Sequence, residues 1–83
     1  MEDKCVVELK MLKRGISLDI EIPTDITARD LLIGLNEAFS LNIDMSDTKK
    51  VYLKMESPIA LIRGNKHLKE YGIRNGSIIN YTE

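Results

Sequence analysis

The sequence predicts an α+β fold, a small sheet of four or five strands packed on one α-helix, in a single domain spanning residues 1–83. Three observations lead there. The chain opens with two strand-like segments separated by a glycine turn, continues into one well-marked amphipathic helix, and ends in short apolar runs divided by Gly, Asn and Pro. The predicted order is ββαβ(β), a short helical turn, then a last strand.

The segment from Lys4 to Leu12 sets Cys5, Val7, Leu9 and Met11 on one face and Val6, Glu8, Lys10 and Leu12 on the other. Lys13-Arg14-Gly15 is a polar break whose glycine can take a positive φ, as a hairpin turn requires. Ile16, Leu18, Ile20 and Ile22 then alternate with Ser17, Asp19 and Glu21, the pattern of a strand with one apolar and one wet face. Pro23 cannot donate to a ladder and ends the strand. Thr27 is placed to cap a helix with Asp30 three residues on, and Ile26 and Leu31 occupy the two positions of a hydrophobic staple. Ala28, Leu31, Leu32, Leu35, Ala38 and Phe39 fall within a sector of roughly 120°, a core-facing stripe. Arg29, Asp30, Asn36 and Glu37 fall opposite, and Ile33 among them is expected to be exposed.

Residues 41–49 read as a loop, 50–55 as a third strand and 59–62 as a fourth. Gly64-Asn65 marks a turn, and residues 67–73 a short helical turn closed near Gly72. Asn75-Gly76 is a tight-turn pair ahead of a last strand over residues 77–81.

Composition excludes several classes. Twelve Lys and Arg against 13 Asp and Glu leave a net charge of −1, without the basic excess that nucleic acid or an anionic membrane surface selects. One cysteine, Cys5, permits neither an internal disulfide nor a C-x-x-C pair, so a reducing cytoplasm is expected. Met1-Glu2-Asp3-Lys4 is acidic where a signal peptide is basic, and no apolar run approaches a membrane span.

The arrangement carries a resemblance over the whole chain. The Pro23-to-Thr27 helix start with Ile26 and Leu31, together with Leu68-Lys69-Glu70-Tyr71-Gly72-Ile73 ahead of the last strand, resembles the ubiquitin-like β-grasp. Within that fold, Tyr71-Gly72-Ile73-Arg74-Asn75-Gly76-Ser77-Ile78-Ile79 is similar to the end of the small YukD/EsaB proteins of Gram-positive type VII secretion. The resemblance implies a mixed sheet whose first and last strands pair in parallel at its centre, with Tyr71 as a buried aromatic. It also implies a cytoplasmic, non-catalytic interaction module that docks on a membrane-bound secretion ATPase or another secretion subunit. The alternatives are a ubiquitin-like adaptor domain of another system and a sulfur carrier or protein modifier. Carriers of that kind end in Gly-Gly, whereas this sequence ends Asn80-Tyr81-Thr82-Glu83, which argues against carrier chemistry.

No catalytic, cofactor or metal site is read. His67 is the only histidine and has no ligand partner in the sequence pattern, so it is expected on the solvated surface. Cys5 is expected in the core. Asp44-x-Ser46-Asp47 lacks the glycine and closing glutamate of a calcium loop. Five serines include none in a nucleophile elbow. The remaining candidates are for protein contact. Lys10, Lys13 and Arg14 cluster at the first hairpin tip, and Lys49, Lys50 and Lys54 in or before the third strand. In ubiquitin-like folds these strands share the outer sheet face, which would hold Tyr52, Lys54, Glu8, Lys10, Val6 and Leu12. Tyr52 is the best anchor, Lys54 and Lys10 flank it, and Ile33 on the helix is a further contact candidate. The run 59–62, near a sheet edge, is the segment through which a weak homodimer would form.

Overall fold

The first two alternating segments close as an antiparallel hairpin, β1 (Lys4–Met11) with β2 (Ile16–Pro23), in a computed structural model that describes residues 3–44, 46 and 51–81. Cys5, Val7, Leu9 and Met11 are buried as the alternation requires. The connection Leu12–Arg14 is a 3₁₀ turn closed by Gly15 at φ 63°, where a Cβ would be strained. Leu12 therefore stands in the turn and not on the sheet face. Ile16, Leu18 and Ile20 point inward but are only partly buried, because β2 is an edge strand covered from one side only.

Helix α1 (Ala28–Phe39) begins with the expected reciprocal cap: Asp30 N donates to Thr27 Oγ1 at 3.0 Å, and Thr27 N donates to Asp30 Oδ2 at 3.2 Å. Two more first-turn donors are satisfied from far along the chain, Ala28 N by Lys66 O at 3.0 Å and Arg29 N by Gly64 O at 2.9 Å. The helix N-terminus is thus finished by a loop that also sends Leu68 N to Ile26 O and Lys69 N to Thr24 O. Thr27→Ala should lower stability by about 1 kcal/mol in urea unfolding, leaving the neighbouring backbone bonds to hold the turn.

Ala28, Leu31, Leu32 and Leu35 form the buried face of α1. Two expectations are corrected at its margins. Ala38 is exposed, since the last turn runs past the packed face, with Phe39 only partly covered. Ile33 is partly buried although it does not pack on the core, the cover being what a helix surface gives its own side chains. Beyond the helix, Asn36 clasps the returning chain: Ile43 N donates to its Oδ1 at 3.0 Å, and its Nδ2 donates to Ile43 O at 3.3 Å. Gly34 stands mid-helix, where glycine costs about 1 kcal/mol relative to alanine.

The remaining strands are β3 (Leu53–Glu56), β4 (Ala60–Ile62) and β5 (Ile78–Tyr81), with a 3₁₀ turn at Leu68–Tyr71. The third strand starts later than the alternation predicts, Val51 and Tyr52 preceding it and Lys50 lying outside the described residues. The fourth loses Ile59 to the connecting turn with Ser57 and Pro58.

The sheet order is β2-β1-β5-β3-β4, with β1 and β5 parallel and the other pairs antiparallel. This is the mixed β-grasp sheet expected, with the last strand at its centre. In register, Leu18, Leu9, Ile79, Met55 and Ala60 form one inward row across all five strands, facing α1. Tyr71 departs from its expected burial: the ring is partly covered while its hydroxyl reaches the chain at Arg63, donating to the carbonyl at 3.0 Å. Lys66 Nζ lies 4.7 Å from the ring centroid. A tyrosine tip of this kind stays near water while the ring packs. Among the described residues no helix is long and apolar enough to cross a membrane.

Candidate protein-interaction surface

The outer face of the sheet follows from the same register. Ser17, Lys10, Asn80, Lys54 and Leu61 are successive partners across β2, β1, β5, β3 and β4, a single row spanning the sheet. Lys10 and Lys54 flank Asn80, two strand spacings or about 10 Å apart. Beside this row runs a second, Asp19, Glu8, Ile78 and Glu56. The rows are tied together by Ser17 Oγ donating to Glu8 Oε2 at 2.5 Å and by Asn80 Nδ2 donating to Glu56 Oε2 at 3.3 Å. The face therefore presents lysines over glutamates, which favours a partner of defined orientation over a generic polyanion.

The predicted contact residues fall into two groups. Lys10 and Lys54 meet on this row, and Tyr52, 40% exposed, stands just ahead of β3 in phase with Lys54. Ile33 is on α1, against the opposite face of the sheet, and does not join them. Arg14 leaves the predicted basic cluster: its guanidinium donates to Phe39 O at 2.9 Å, tying the hairpin tip to the end of α1. Lys49 and Lys50 lie outside the described residues, as do Asp47 and the terminal Thr82 and Glu83.

The run 59–62, expected near a sheet edge as a place where two copies could pair, is also the apolar end of this row. Ile59 is 90% exposed and Leu61 53% exposed. With Lys54, Glu56 and Asn80 they border a shallow groove of about 310 Å³. The run is apolar throughout, so its sequence does not say which side chains face outward; the pairing of β4 with β3 turns Leu61 out. Val6 adds a further exposed apolar group on β1.

The potential reactive groups are accounted for by packing and turn chemistry. Cys5 is buried and desolvation pushes its thiol pKa up, which keeps it protonated and unreactive. Asp44 Oδ1 accepts from both the Ser46 hydroxyl at 2.6 Å and the Ser46 N–H at 2.9 Å, which holds its carboxyl below the ordinary range. Among the described residues no three His, Cys, Asp or Glu side chains gather as a metal site. His67 is on the surface as expected, at the start of the 3₁₀ turn, where its N–H donates to Glu70 Oε2 at 2.9 Å. That bond, with the charges of His67 and Lys66 nearby, holds the Glu70 carboxyl below its ordinary value.

A carboxyl depressed on folding stabilises the fold above its unfolded pKa, and that contribution is lost as pH falls through the lower folded value. Wild type should therefore exceed Glu70→Gln in urea midpoint at about pH 6, with the difference shrinking as pH falls below the ordinary carboxylate range.

The fold is shared with several solved structures. The ubiquitin-like domain from tubulin-binding cofactor B superposes with a TM-score of 0.75 at 16% identity, covering 100% of this chain and 92% of that one. The C-terminal ubiquitin-like domain of mouse tubulin-specific chaperone e gives 0.70 at 15% identity, covering 98% and 87%. The ubiquitin-like domain of the Mycobacterium tuberculosis type VII secretion system protein ECCD1 gives 0.50 at 12% identity, covering 95% and 99%. No curated protein sequence matches significantly. A family model described as WXG100 protein secretion system (Wss), protein YukD, matches residues 5–80.

Proposed function

Because this chain belongs to the YukD family of the WXG100 protein secretion system, we propose that it is a non-catalytic docking module of that system, a single ubiquitin-like domain working in the cytoplasm. Its partner is another protein of the secretion machine, with a membrane-bound ATPase as first candidate. The observation that supports this reading most is the row across the outer sheet face. It joins Lys10 and Lys54 to the exposed Leu61, with Tyr52 beside it, so cations of fixed position border an apolar rim. Aromatic and aliphatic anchors in such a setting supply most of an interface's affinity, while the charges set orientation and rate of encounter. Ile33 would serve as a separate contact on the helix side.

The test is an affinity capture from source-cell lysate in mild detergent, with the tag at the N-terminus and the captured proteins identified by mass spectrometry. Secretion subunits are expected with the wild type and are expected to be lost with Tyr52→Ala and Lys54→Glu, both at exposed positions that leave the core intact. Retention of those subunits by both variants would place the docking face elsewhere. Capture of an adenylating enzyme, or a covalent adduct through Glu83, would overturn the reading in favour of carrier chemistry.

A further inference from the structure

The eight-residue β2 is one edge of the sheet, and among the described residues no strand pairs with its outer side. Its outward N–H and C=O groups are a template for one more strand. Between β2 and α1 runs a groove of about 350 Å³, with Ile20, Ile22, Leu31, Ala38 and Phe39 among its apolar walls and Glu21 and Asp30 at its rim.

Two features say what fits there. Gly34 lines the groove at the middle of α1, without a positive φ, and a Cβ at this position would meet nothing within 4 Å. Nothing inside the fold requires glycine there, so the room it leaves faces outward, where another backbone can approach the helix closely. The surrounding charge is acidic. Asp19 and Glu21 stand on the solvent face of β2, and Asp30 and Glu37 share one helical stripe with Gly34. Among the described residues no Lys or Arg lines the groove; Lys4 approaches Glu21 at 3.8 Å from the β1 side, and Arg14 is engaged with Phe39 O at the far end.

We propose that this edge accepts one extended segment of a protein partner as a sixth strand, a segment in which apolar residues alternate with lysine or arginine. Its backbone pairs with the free side of β2, its apolar residues enter the groove over Gly34, and its cations face Asp19 and Glu21 across the ladder. A second copy is a poor occupant, because two β2 edges would set these carboxylates against their own kind. The surface shares Asp19 with the second outer-face row but does not depend on Lys10, Tyr52, Lys54 or Leu61.

The test titrates the isotopically labelled full chain with a synthetic Lys-Val-Lys-Ile-Lys-Val peptide and with its counterpart carrying Glu for each Lys. The Lys peptide should shift the amides of β2 and Gly34, bind at least about tenfold more tightly than the Glu peptide, and weaken from about 50 mM to about 500 mM salt. Gly34→Phe should cut binding at least about tenfold, and Asp19→Lys with Glu21→Lys should reverse the peptide preference. If Gly34→Phe does not fold, the charge reversal decides alone. Equal binding of the two peptides, shifts confined to β4 or the outer face, or no binding would each overturn the proposal.

Discussion

Ile79→Ala is expected to remove about 3 kcal/mol of stability, within the usual range for deleting a large aliphatic side chain from a core. Ile79 is fully buried in the central strand, with Leu9 on one side and Met55 on the other as its register partners. Strands on both sides hold the backbone in place, so the site cannot collapse to fill the vacancy. A chain of 83 residues has about 4–12 kcal/mol in total, at roughly 0.05–0.15 kcal/mol per residue. The loss is therefore a large share of what holds the fold together. With a urea slope of about 1 kcal/mol per molar for so small a protein, the midpoint should fall by about 3 M. A fall below about 1 M would mean that the sheet repacks around the alanine, against the rigid central strand described above.

Ser77→Ala should cost about 2 kcal/mol through a different mechanism. Ser77 is wholly buried; its hydroxyl donates to Ser57 O at 2.8 Å and accepts from Arg74 N at 3.0 Å. One oxygen thus joins the chain after β3 to the turn before β5, while the Ser77 carbonyl takes the N–H of Glu8 on β1. Alanine removes the buried hydroxyl that the Ser57 carbonyl and the Arg74 amide both use, and neither group finds another protein partner at that site. The urea midpoint reads the loss, and a change below about 0.5 kcal/mol would show that water reaches the pair.

The contrast between these residues shows what the sequence could disclose. Ile79 is legible because its strand is apolar on a spacing of two, and the Thr27–Asp30 cap because its chemistry is local. Ser77 is not: the sequence reads it as the polar first residue of the last strand, and only the return of the chain past Ser57 shows that its hydroxyl is buried and bonded. The same division runs through the candidate surface. Alternation turned Lys10 and Lys54 outward on their strands, and the resemblance to a ubiquitin-like sheet put those strands on one face. The run 59–62 was legible as an edge segment, but four apolar residues in succession carry no alternation to show that Leu61 faces outward. Arg14 read as a free surface cation, although the Phe39 carbonyl it reaches is 25 positions away in sequence. The groove beside Gly34 was likewise hidden, being formed by two elements whose pairing across the gap is set by the whole sheet.

The place of β5 also bears on how the molecule comes into being. Val6 N donates to Asn75 Oδ1 across 69 positions, and the strand that fills the middle of the sheet is the last of the five to leave a ribosome. Until it emerges, the β1–β2 hairpin and α1 have no central partner, and the apolar faces of β1 and β3 remain open to water, chaperones and proteases. Folding must then close the longest loop in the chain before its most buried contacts form, a requirement that slows it relative to a helical bundle of equal length. Translation at about 5–20 residues per second sets how long that exposed interval lasts.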